Sequence, residues 1–167
     1  MEAIGSQARA FLAQNRVDQW AGSEPPNPGG VDFLADMARG ECFVLTCGGE
    51  VGAFFTLSTQ PEENYAAITD GKWSADEPYA TLHRCAVADK WRGVGLADRM
   101  VKECGRLALE RGIFWLRADT HKKNKAMQGL LRRSGLQYRG NVLVDAPEGH
   151  DPRRVAYEKR LRGGKTP

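Results

Sequence analysis

Hydrophobic residues in the N-terminal third of the chain follow first a helical and then an extended pattern. Four apolar side chains fall on one helical face: Ile4, Ala8, Phe11 and Leu12. This spacing predicts an amphipathic helix over residues 2–15. Prolines and glycines interrupt residues 15–30, and a short second helix is expected over residues 31–38. Two apolar runs, 42–46 and 51–58, flank a Cys-Gly-Gly-Glu tetrapeptide, so we predict a β-hairpin there.

The rest of the pattern alternates strands with helices. A polar loop is expected over residues 60–78. The predicted elements after it are, in order, strand 79–87, helix 95–111, strand 113–118, helix 124–134 and strands 136–145 and 153–161. This order contains no internal repeat. It predicts an α/β fold in which a mixed sheet is flanked by helices.

The composition is typical of a globular protein. A chain of 167 residues is long enough for one buried core and short for two, so we predict one domain over residues 1–167. Hydrophobic residues make up 41% of the chain and charged residues 27%, which is unlike disordered or membrane-embedded proteins. The formal net charge of +3 is spread along the sequence, and the arginines between residues 132 and 154 lack interleaved aromatic residues. We therefore expect no nucleic-acid partner.

Metal binding, secretion and membrane insertion are not expected either. The four cysteines show no Cys-x-x-Cys spacing, and the three histidines form no cluster with them. The first twelve residues lack the features of a signal peptide. The longest nearly apolar run, residues 51–57, is far shorter than the roughly 20 residues of a membrane span. We expect a cytoplasmic protein with reduced thiols, without a metal and without a membrane partner.

The stretch WRGVGLADRM, residues 91–100, combines a glycine turn with the start of a helix. Backbone N–H groups at a helix start have no partners within the helix, and Gly93 and Gly95 allow phosphate oxygens to approach closely. A dinucleotide-binding turn would need glycine or alanine where Asp98 stands, and a Walker A loop would need Gly-Lys-Ser/Thr. Taken alone, the stretch also fits an ordinary helix start with two glycines.

Several motifs resemble the GCN5-related N-acetyltransferase (GNAT) superfamily. Residues 92–97 are similar to its R/Q-x-x-G-x-G/A pattern, and residues 82–87 look like its fourth strand. Residues 119–128 and 133–136 resemble the family's asparagine-containing segment and its later Gly-Phe. Further similarity, to a bacterial branch of the superfamily, lies at residues 19–20, 70–73 and 79–84. The resemblance covers nearly the whole chain and implies a GNAT fold, in which the fourth and fifth strands splay apart.

The resemblance also implies acetyl-CoA as the acyl donor. The implied pyrophosphate site is the backbone of the turn: Arg92, Gly93, Val94, Gly95, Leu96 and Ala97. The pantetheine arm is expected to pair with the fourth strand at Cys85, Ala86 and Val87. Asn124 matches the family's coenzyme-contacting asparagine, and the neighbouring Lys123 is a further candidate for a phosphate contact.

His83 is the candidate general base for an amine acceptor. Histidine side chains titrate near neutral pH, which suits proton transfer. Strict alternation along the strand places His83 on the same face as Cys85 and Val87. Arylalkylamine acetyltransferases of the same superfamily carry a histidine at the matching position. The alternative interpretation is a histidine held by hydrogen bonds within the sheet.

The family's usual proton donor is absent from its expected position. Many members carry a tyrosine seven residues after the asparagine, where this chain has Leu131. Tyr138 and Tyr157, on the last two predicted strands, are replacement candidates, and the alternative for each is a core or rim aromatic residue. A thiolate with a pKa of about 8.5 is also a tolerable leaving group. The departure therefore leaves acetyl transfer feasible.

The acceptor pocket is expected near the polar loop. In GNAT proteins the matching region helps to form this pocket, so Tyr65, Trp73 and Tyr79 are candidate acceptor-binding residues. Five acids against one lysine in the loop favour a cationic amine, and a solvated acidic loop explains the same charges. An acyl-enzyme on Cys85 is a minor alternative, because free cysteines are commonly buried and unreactive.

The predicted function is transfer of an acetyl group from acetyl-CoA to a small cationic amine or a protein amine, by direct attack in a ternary complex. A non-catalytic acyl-CoA-binding sensor and a nucleotide-dependent oxidoreductase are the alternatives. GNAT domains usually begin with a strand ahead of the first helix, so either this sequence is shortened or that strand is missing. The oligomeric state stays open, with a homodimer among the alternatives.

Overall fold

The computed structural model describes residues 1–20, 33–146 and 148–162. Its helices are α1 Glu2–Gln14, α2 Phe33–Ala38, α3 Glu63–Ala66, α4 Leu96–Glu110 and α5 Lys125–Arg133. Its strands are β1 Cys42–Cys47, β2 Glu50–Ser58, β3 Tyr79–Val87, β4 Trp115–His121, β5 Gln137–Leu143 and β6 Arg153–Arg160. A short 3-10 turn, Asp89–Trp91, precedes α4. The predicted order of helices and strands is confirmed, although most of the predicted 15–30 connection lies outside the described residues.

Two predicted segments differ from the structure. The polar loop expected over residues 60–78 contains α3, a single helical turn. The strand expected at residues 113–118 begins at Trp115 and continues to His121. The strand extends to His121 because β4 pairs with β6 along its whole length. Backbone hydrogen bonds therefore carry the strand beyond the end of its apolar run.

The six strands form one sheet in the order β1-β2-β3-β4-β6-β5. Neighbouring strands are antiparallel except for β3 and β4, which are parallel. Among the described residues no strand precedes α1, and β1 forms one edge of the sheet. The structure thus confirms the predicted mixed, largely antiparallel sheet flanked by helices.

The parallel strands β3 and β4 separate near the middle of the sheet. The last pair of their register is Thr81 with Arg117. Beyond that pair β3 continues to Val87 and β4 to His121, and within the described chain they no longer pair with each other. The facing strand edges therefore offer backbone N–H and C=O groups to a ligand that carries amide groups of its own.

A β-bulge interrupts β3 where it borders this gap. His83 lies opposite Thr56 of β2, and Ala86 lies opposite Phe54, so two residues of β3 face a single residue of β2. Arg84, one of the two, has a φ of +47°. The bulge therefore reverses the alternation of side chains along the rest of β3.

The reversal separates His83 from Cys85 and Val87. Cys85 and Val87 pack against the core beneath α4 and α5, whereas Ala86 packs with Ile4 of α1. The expectation that His83 shares a face with Cys85 and Val87 is therefore wrong, because strict alternation does not hold across a bulge.

Helices cover both faces of the sheet. The α4–α5 face holds the larger core, with Phe55, Leu57, Leu82, Met100, Val101, Leu116 and Leu131 among its buried side chains. On the opposite face, Ile4 of α1 and Phe33 of α2 pack with Phe54 of β2 and Ala86 of β3. None of the described helices has the length and apolar character needed to cross a membrane.

Candidate active site

A cavity of about 920 Å³ opens where β3 and β4 separate. Its wall is formed by α1 and the residues after it, by α3 and Glu62 before it, by the strand ends at the gap, by α5 and the start of α4, and by the segment between β5 and β6. The predicted site residues that line it are Tyr65, His83, Cys85, Ala86, Val87, Arg92, Ala97 and Asn124. Within the described residues, its lining does not include Gly93, Val94, Gly95 and Leu96 of the turn, nor Trp73, Tyr79, Lys123 and Tyr138.

The glycine turn at the start of α4 has the backbone geometry of an anion site. Gly93 and Gly95 have φ values of +79° and +82°, which other residues adopt only with strain. The first hydrogen bond of α4 runs from the Arg99 N–H group to the carbonyl of Gly95, its N-cap. The N–H groups of Leu96 and Ala97 therefore lie ahead of the helical ladder and, with the helix dipole, favour a negative group. A Cβ added at either glycine would meet no atom within 4 Å, so the outer side of the turn is open.

Two arginines line the cavity near this turn. The Arg92 guanidinium lies 4.5 Å from the centroid of the Phe11 ring and 2.8 Å from Asp89. Arg133 of α5 lies 3.3 Å from Asp98 of α4. Exposed ion pairs of this kind contribute little to stability, so breaking them would cost little.

Cys85 lines the cavity without being activated. Its Sγ lies 3.8 Å from the Sδ of Met127 in α5. Burial raises the pKa of the Cys85 thiol to about 12. Because the thiolate is the nucleophilic form of cysteine, Cys85 is a neutral, largely apolar part of the wall at neutral pH. This environment favours a lining role over an acyl-enzyme.

His83 pairs with a carboxylate that the sequence pattern did not single out. Its Nε2 lies 2.7 Å from Oε1 of Glu62, in the segment just before α3. A carboxylate can only accept a hydrogen bond, so we place the ring proton on Nε2 and leave Nδ1 as the basic nitrogen. This hydrogen bond lowers the pKa of Glu62. The N–H group of Glu62 donates to the Tyr79 hydroxyl at 2.8 Å, which holds the segment against β3.

Tyr65 lines the cavity beside Asp119 of β4. Its hydroxyl donates to Oδ1 of Asp119 at 2.7 Å. Burial and the Asp119 carboxylate raise the pKa of Tyr65 well above its ordinary value. The ring centroid of Tyr65 lies 5.1 Å from that of Trp73 and 6.0 Å from that of Tyr79. Trp73 and Tyr79 thus support Tyr65 from outside the cavity.

A buried ion pair anchors the loop between α3 and β3. The Nε of Arg117 lies 3.0 Å from Oε1 of Glu158, and the two side chains are 5% and 0% exposed. The guanidinium of Arg117 also lies 4.2 Å from the Trp73 ring and 3.9 Å from the Tyr79 ring. Oε2 of Glu158 accepts the Ser74 N–H group at 2.9 Å. The pair therefore fixes the loop that packs behind the cavity wall.

Asn124 is the N-cap of α5. Its Oδ1 accepts the N–H group of Met127 at 3.1 Å, and its Nδ2 donates to Oε1 of Gln19 at 3.3 Å. The same Gln19 oxygen accepts two hydrogen bonds from the end of β4, at 3.1 and 3.2 Å. Asn124 thus links the segment after α1 to the gap between the strands, while Lys123 is exposed outside the cavity.

The tyrosines weighed as proton donors lie away from the cavity. Leu131, at the family's usual tyrosine position, is fully buried in the core. Tyr138 is 48% exposed and donates to Oδ1 of Asn141. Tyr157 is buried on the α4–α5 side of the sheet. Among the described residues, Tyr65 is the tyrosine that lines the cavity.

The sequence from α1 to the end of α5 matches a known protein family. The model of the acetyltransferase (GNAT) family matches residues 10–136, which include the glycine turn and both strands that border the gap. The chain belongs to the GNAT acetyltransferase family. A GNAT-family acetyltransferase from Streptococcus agalactiae is 32% identical, with a TM-score of 0.82, and the alignment covers 96% of this chain and 87% of that protein.

More distant structures share the GNAT fold. A ribosomal-protein-alanine N-acetyltransferase from Brucella melitensis is 22% identical, with a TM-score of 0.59 over 96% of this chain and 98% of its own. An acetyltransferase from Bacillus subtilis in complex with CoA is 12% identical, with a TM-score of 0.59 over 80% of this chain and 86% of its own. At these identities the similarity shows the fold alone. A search of curated protein sequences gives no match.

The charged residues of the GNAT cavity that were not predicted as site residues include Glu62, Asp119 and Arg154. Glu62 was one of several acids in the polar loop, and nothing in its spacing pairs it with His83. Asp119 carried a signal, since it is a charged residue directly after the apolar run of a buried strand. Arg154 lies in an arginine-rich part of the sequence. Only the pairing of β6 with β4 shows that Arg154, rather than Arg153, faces the cavity.

Proposed function

We propose that this GNAT protein transfers an acetyl group from acetyl-CoA to an amine by direct attack in a ternary complex. One observation carries the proposal. A continuous cavity connects the start of α4, through Arg92 and Ala97, with the His83–Glu62 pair along the open edge of β3. Acetyl-CoA bound at one end and an amine bound at the other would meet in the strand gap. The cavity would therefore hold the two reactants next to each other.

The residues along the cavity suit coenzyme A. The N–H groups at the start of α4, together with Arg92 and Arg133, supply donors and positive charge for a diphosphate. An exposed helix terminus contributes only about 0.3–1 kcal/mol per interaction, so several groups must act together. The open edge of β3 at residues 85–87 offers backbone partners for the two amides of pantetheine. Bound acetyl-CoA supplies the activated acetyl carbon.

His83 acts as the general base in this proposal. Removing a proton from an alkylammonium group with a pKa of about 10.4 costs about 4.6 kcal/mol at neutral pH. As the C–N bond forms and the C–S bond breaks, the amine proton passes to Nδ1 of His83. Glu62 holds the ring through Nε2 and stabilises the imidazolium that results.

The thiolate leaves without a dedicated tyrosine. General acid catalysis contributes roughly 10² to 10⁴ in rate. Positioning two reactants contributes about 7–11 kcal/mol, a larger effect. The buried Leu131 therefore lowers the expected rate without abolishing transfer.

The second candidate function is a non-catalytic acyl-CoA sensor. The observation in its favour is Leu131, because the family's usual position for a proton donor is filled by a fully buried leucine. A sensor would bind CoA with its acyl group and release no thiol.

Acetyl-CoA-dependent thiol release across a broad amine panel distinguishes the two functions, with calorimetry of CoA binding on the same preparation. Transfer predicts CoA binding and amine-dependent release. CoA binding without release from any amine supports the sensor. Stabilisation of the fold by NAD rather than CoA in a thermal-shift assay would contradict both.

A further inference from the structure

Some of the charged side chains that line the cavity have a partner in an ion pair, and others do not. Those with an ion-pair or imidazole partner are Asp18, Glu62, Arg84, Arg92 and Arg133. Asp145 is exposed at the rim. The remaining two, Asp119 and Arg154, form no ion pair with any residue of the described chain. Both lie on the face of the sheet that carries His83.

Arg154 is a buried cation with neutral partners. Its side chain lies on β6, and the residue is 8% exposed. Its Nη1 donates to the carbonyl oxygens of Asp151 at 2.5 Å and Arg153 at 3.0 Å. Burial lowers the pKa of Arg154, which nevertheless stays protonated because guanidinium is so weak an acid. A guanidinium has five N–H donors in a planar fork, so donors remain for an anionic ligand in the cavity.

Asp119 stands beside Arg154 on the cavity wall. The β4–β6 register pairs Asp119 with Ala156, which makes Arg154 its diagonal neighbour on the same face. Such diagonal neighbours lie about 7–8 Å apart, within reach of long side chains. Asp119 accepts the hydroxyl of Tyr65 at 2.7 Å and, like Arg154, is bonded to neutral groups. The wall thus presents two adjacent, opposite charges that attract each other through space but form no direct ion pair among the described residues.

We propose that the acceptor is an amino-acid-like zwitterion, whose carboxylate binds Arg154 and whose ammonium group binds beside Asp119, within reach of His83. This inference rests on the proposed acetyl transfer and specifies its substrate class. Arginine recognises carboxylates through two parallel hydrogen bonds, which gives orientation as well as affinity. A simple amine, or the amine of a peptide, would leave the remaining N–H donors of the buried Arg154 without an anionic hydrogen-bond partner. Such a loss discriminates strongly between otherwise similar substrates.

The experiment compares free L-amino acids with their carboxamides and with the corresponding decarboxylated amines. We expect kcat/KM for the free acid to exceed that for its carboxamide by about 10- to 100-fold, the value of a hydrogen bond between charged groups. Arg154→Gln should remove this preference, so that the free acid and its carboxamide are acetylated with similar kcat/KM. Asp119→Asn should lower kcat/KM for all three compounds alike. Arg153→Gln is the matched control, because Arg153 is the neighbouring exposed arginine and its side chain pairs with Asp151.

A folding defect is separable from a loss of recognition. If Arg154→Gln does not fold, as judged by circular dichroism, Arg154→Lys retains the charge but loses the planar fork. It should retain part of the preference for the free acid. Wild-type turnover of amines and carboxamides with no advantage for the free acid would overturn the zwitterion proposal and leave acetyl transfer standing. If no compound is acetylated, calorimetric binding of free amino acids to the CoA complex still tests it: binding that Arg154→Gln weakens supports the zwitterion site and refutes transfer.

Discussion

The Nε2 atom of His83 lies 2.7 Å from the Oε1 atom of Glu62. The contact joins β3, directly before its bulge, to the segment that precedes α3, and both side chains line the cavity. A base held by a carboxylate is oriented and, once protonated, stabilised. The proposed role of His83 as a general base rests on this pairing.

His83→Gln should lower kcat by about 10²- to 10⁴-fold, because an uncharged amide cannot take the amine proton. The loss should be greatest below the pKa of the acceptor, where the amine is protonated. Glu62→Gln should cause a smaller loss, since the ring keeps a hydrogen-bond partner but loses the charge that stabilises imidazolium. The measurement is the pH profile of thiol release.

Glu63→Gln provides the control for both substitutions. Glu63 is adjacent to Glu62 but exposed and outside the cavity lining, so its variant should match the wild type. A His83→Gln enzyme with a wild-type pH profile would show that His83 is not the base.

Arg92→Glu should weaken CoA binding by about 10- to 100-fold, because it replaces a charged hydrogen-bond donor with a negative charge beside the diphosphate. Calorimetry with CoA measures the effect. Lys102→Glu makes the same change in net charge on the exposed side of α4 and should leave the affinity near that of the wild type. Equal losses in the two variants would indicate a general electrostatic effect rather than a contact at the turn.

Arg117→Met should lower the free energy of unfolding by about 1.5–3 kcal/mol, because it removes a buried hydrogen bond between charged groups and leaves Glu158 only its ion pair with Arg139 at 3.4 Å. Replacing both residues together, as Arg117→Met with Glu158→Leu, should cost less than the sum of the two single substitutions. Urea denaturation measures all three.

The comparison for this pair is Arg106→Met, which removes two exposed ion pairs on α4, with Glu103 and with Glu110. Exposed helix pairs contribute about 0.3–0.5 kcal/mol. If Arg117→Met is no more destabilising than Arg106→Met, the buried pair does not anchor the loop.

Cys85 should remain unacetylated when the protein is incubated with acetyl-CoA in the absence of an acceptor. With a pKa raised to about 12, only about one Cys85 thiol in 10⁴ is ionised at pH 8. The fraction rises with pH, so reactivity should increase steadily into the alkaline range. Intact-mass analysis and peptide mapping check the prediction, and alkylation of the denatured protein shows that the thiol is free. An acetyl adduct on Cys85 at neutral pH would restore the acyl-enzyme route.

Hydrophobic periodicity predicted nearly all of the fold, because most helices and strands bury one continuous apolar face. The bounds predicted for the strand at residues 79–87 match β3, and the predicted hairpin is formed by β1 and β2. Periodicity failed at β4, whose last residues are polar but pair with β6, and at α3, which has a single turn. In both cases contacts with distant parts of the chain, rather than local preference, determine the conformation.

The sequence by itself determined the glycine turn, the helix that follows it and the family, since these depend on residues that are neighbours along the chain. Only the tertiary structure decided which side chains share the cavity. The bulge in β3 turned His83 away from Cys85, and chain folding brought Glu62 to His83 across 21 positions. It also placed Asp119 beside Arg154 through the β4–β6 register. The physical reason is that hydrogen-bond register and charge pairing depend on distances in space, which the linear pattern of apolar residues does not encode.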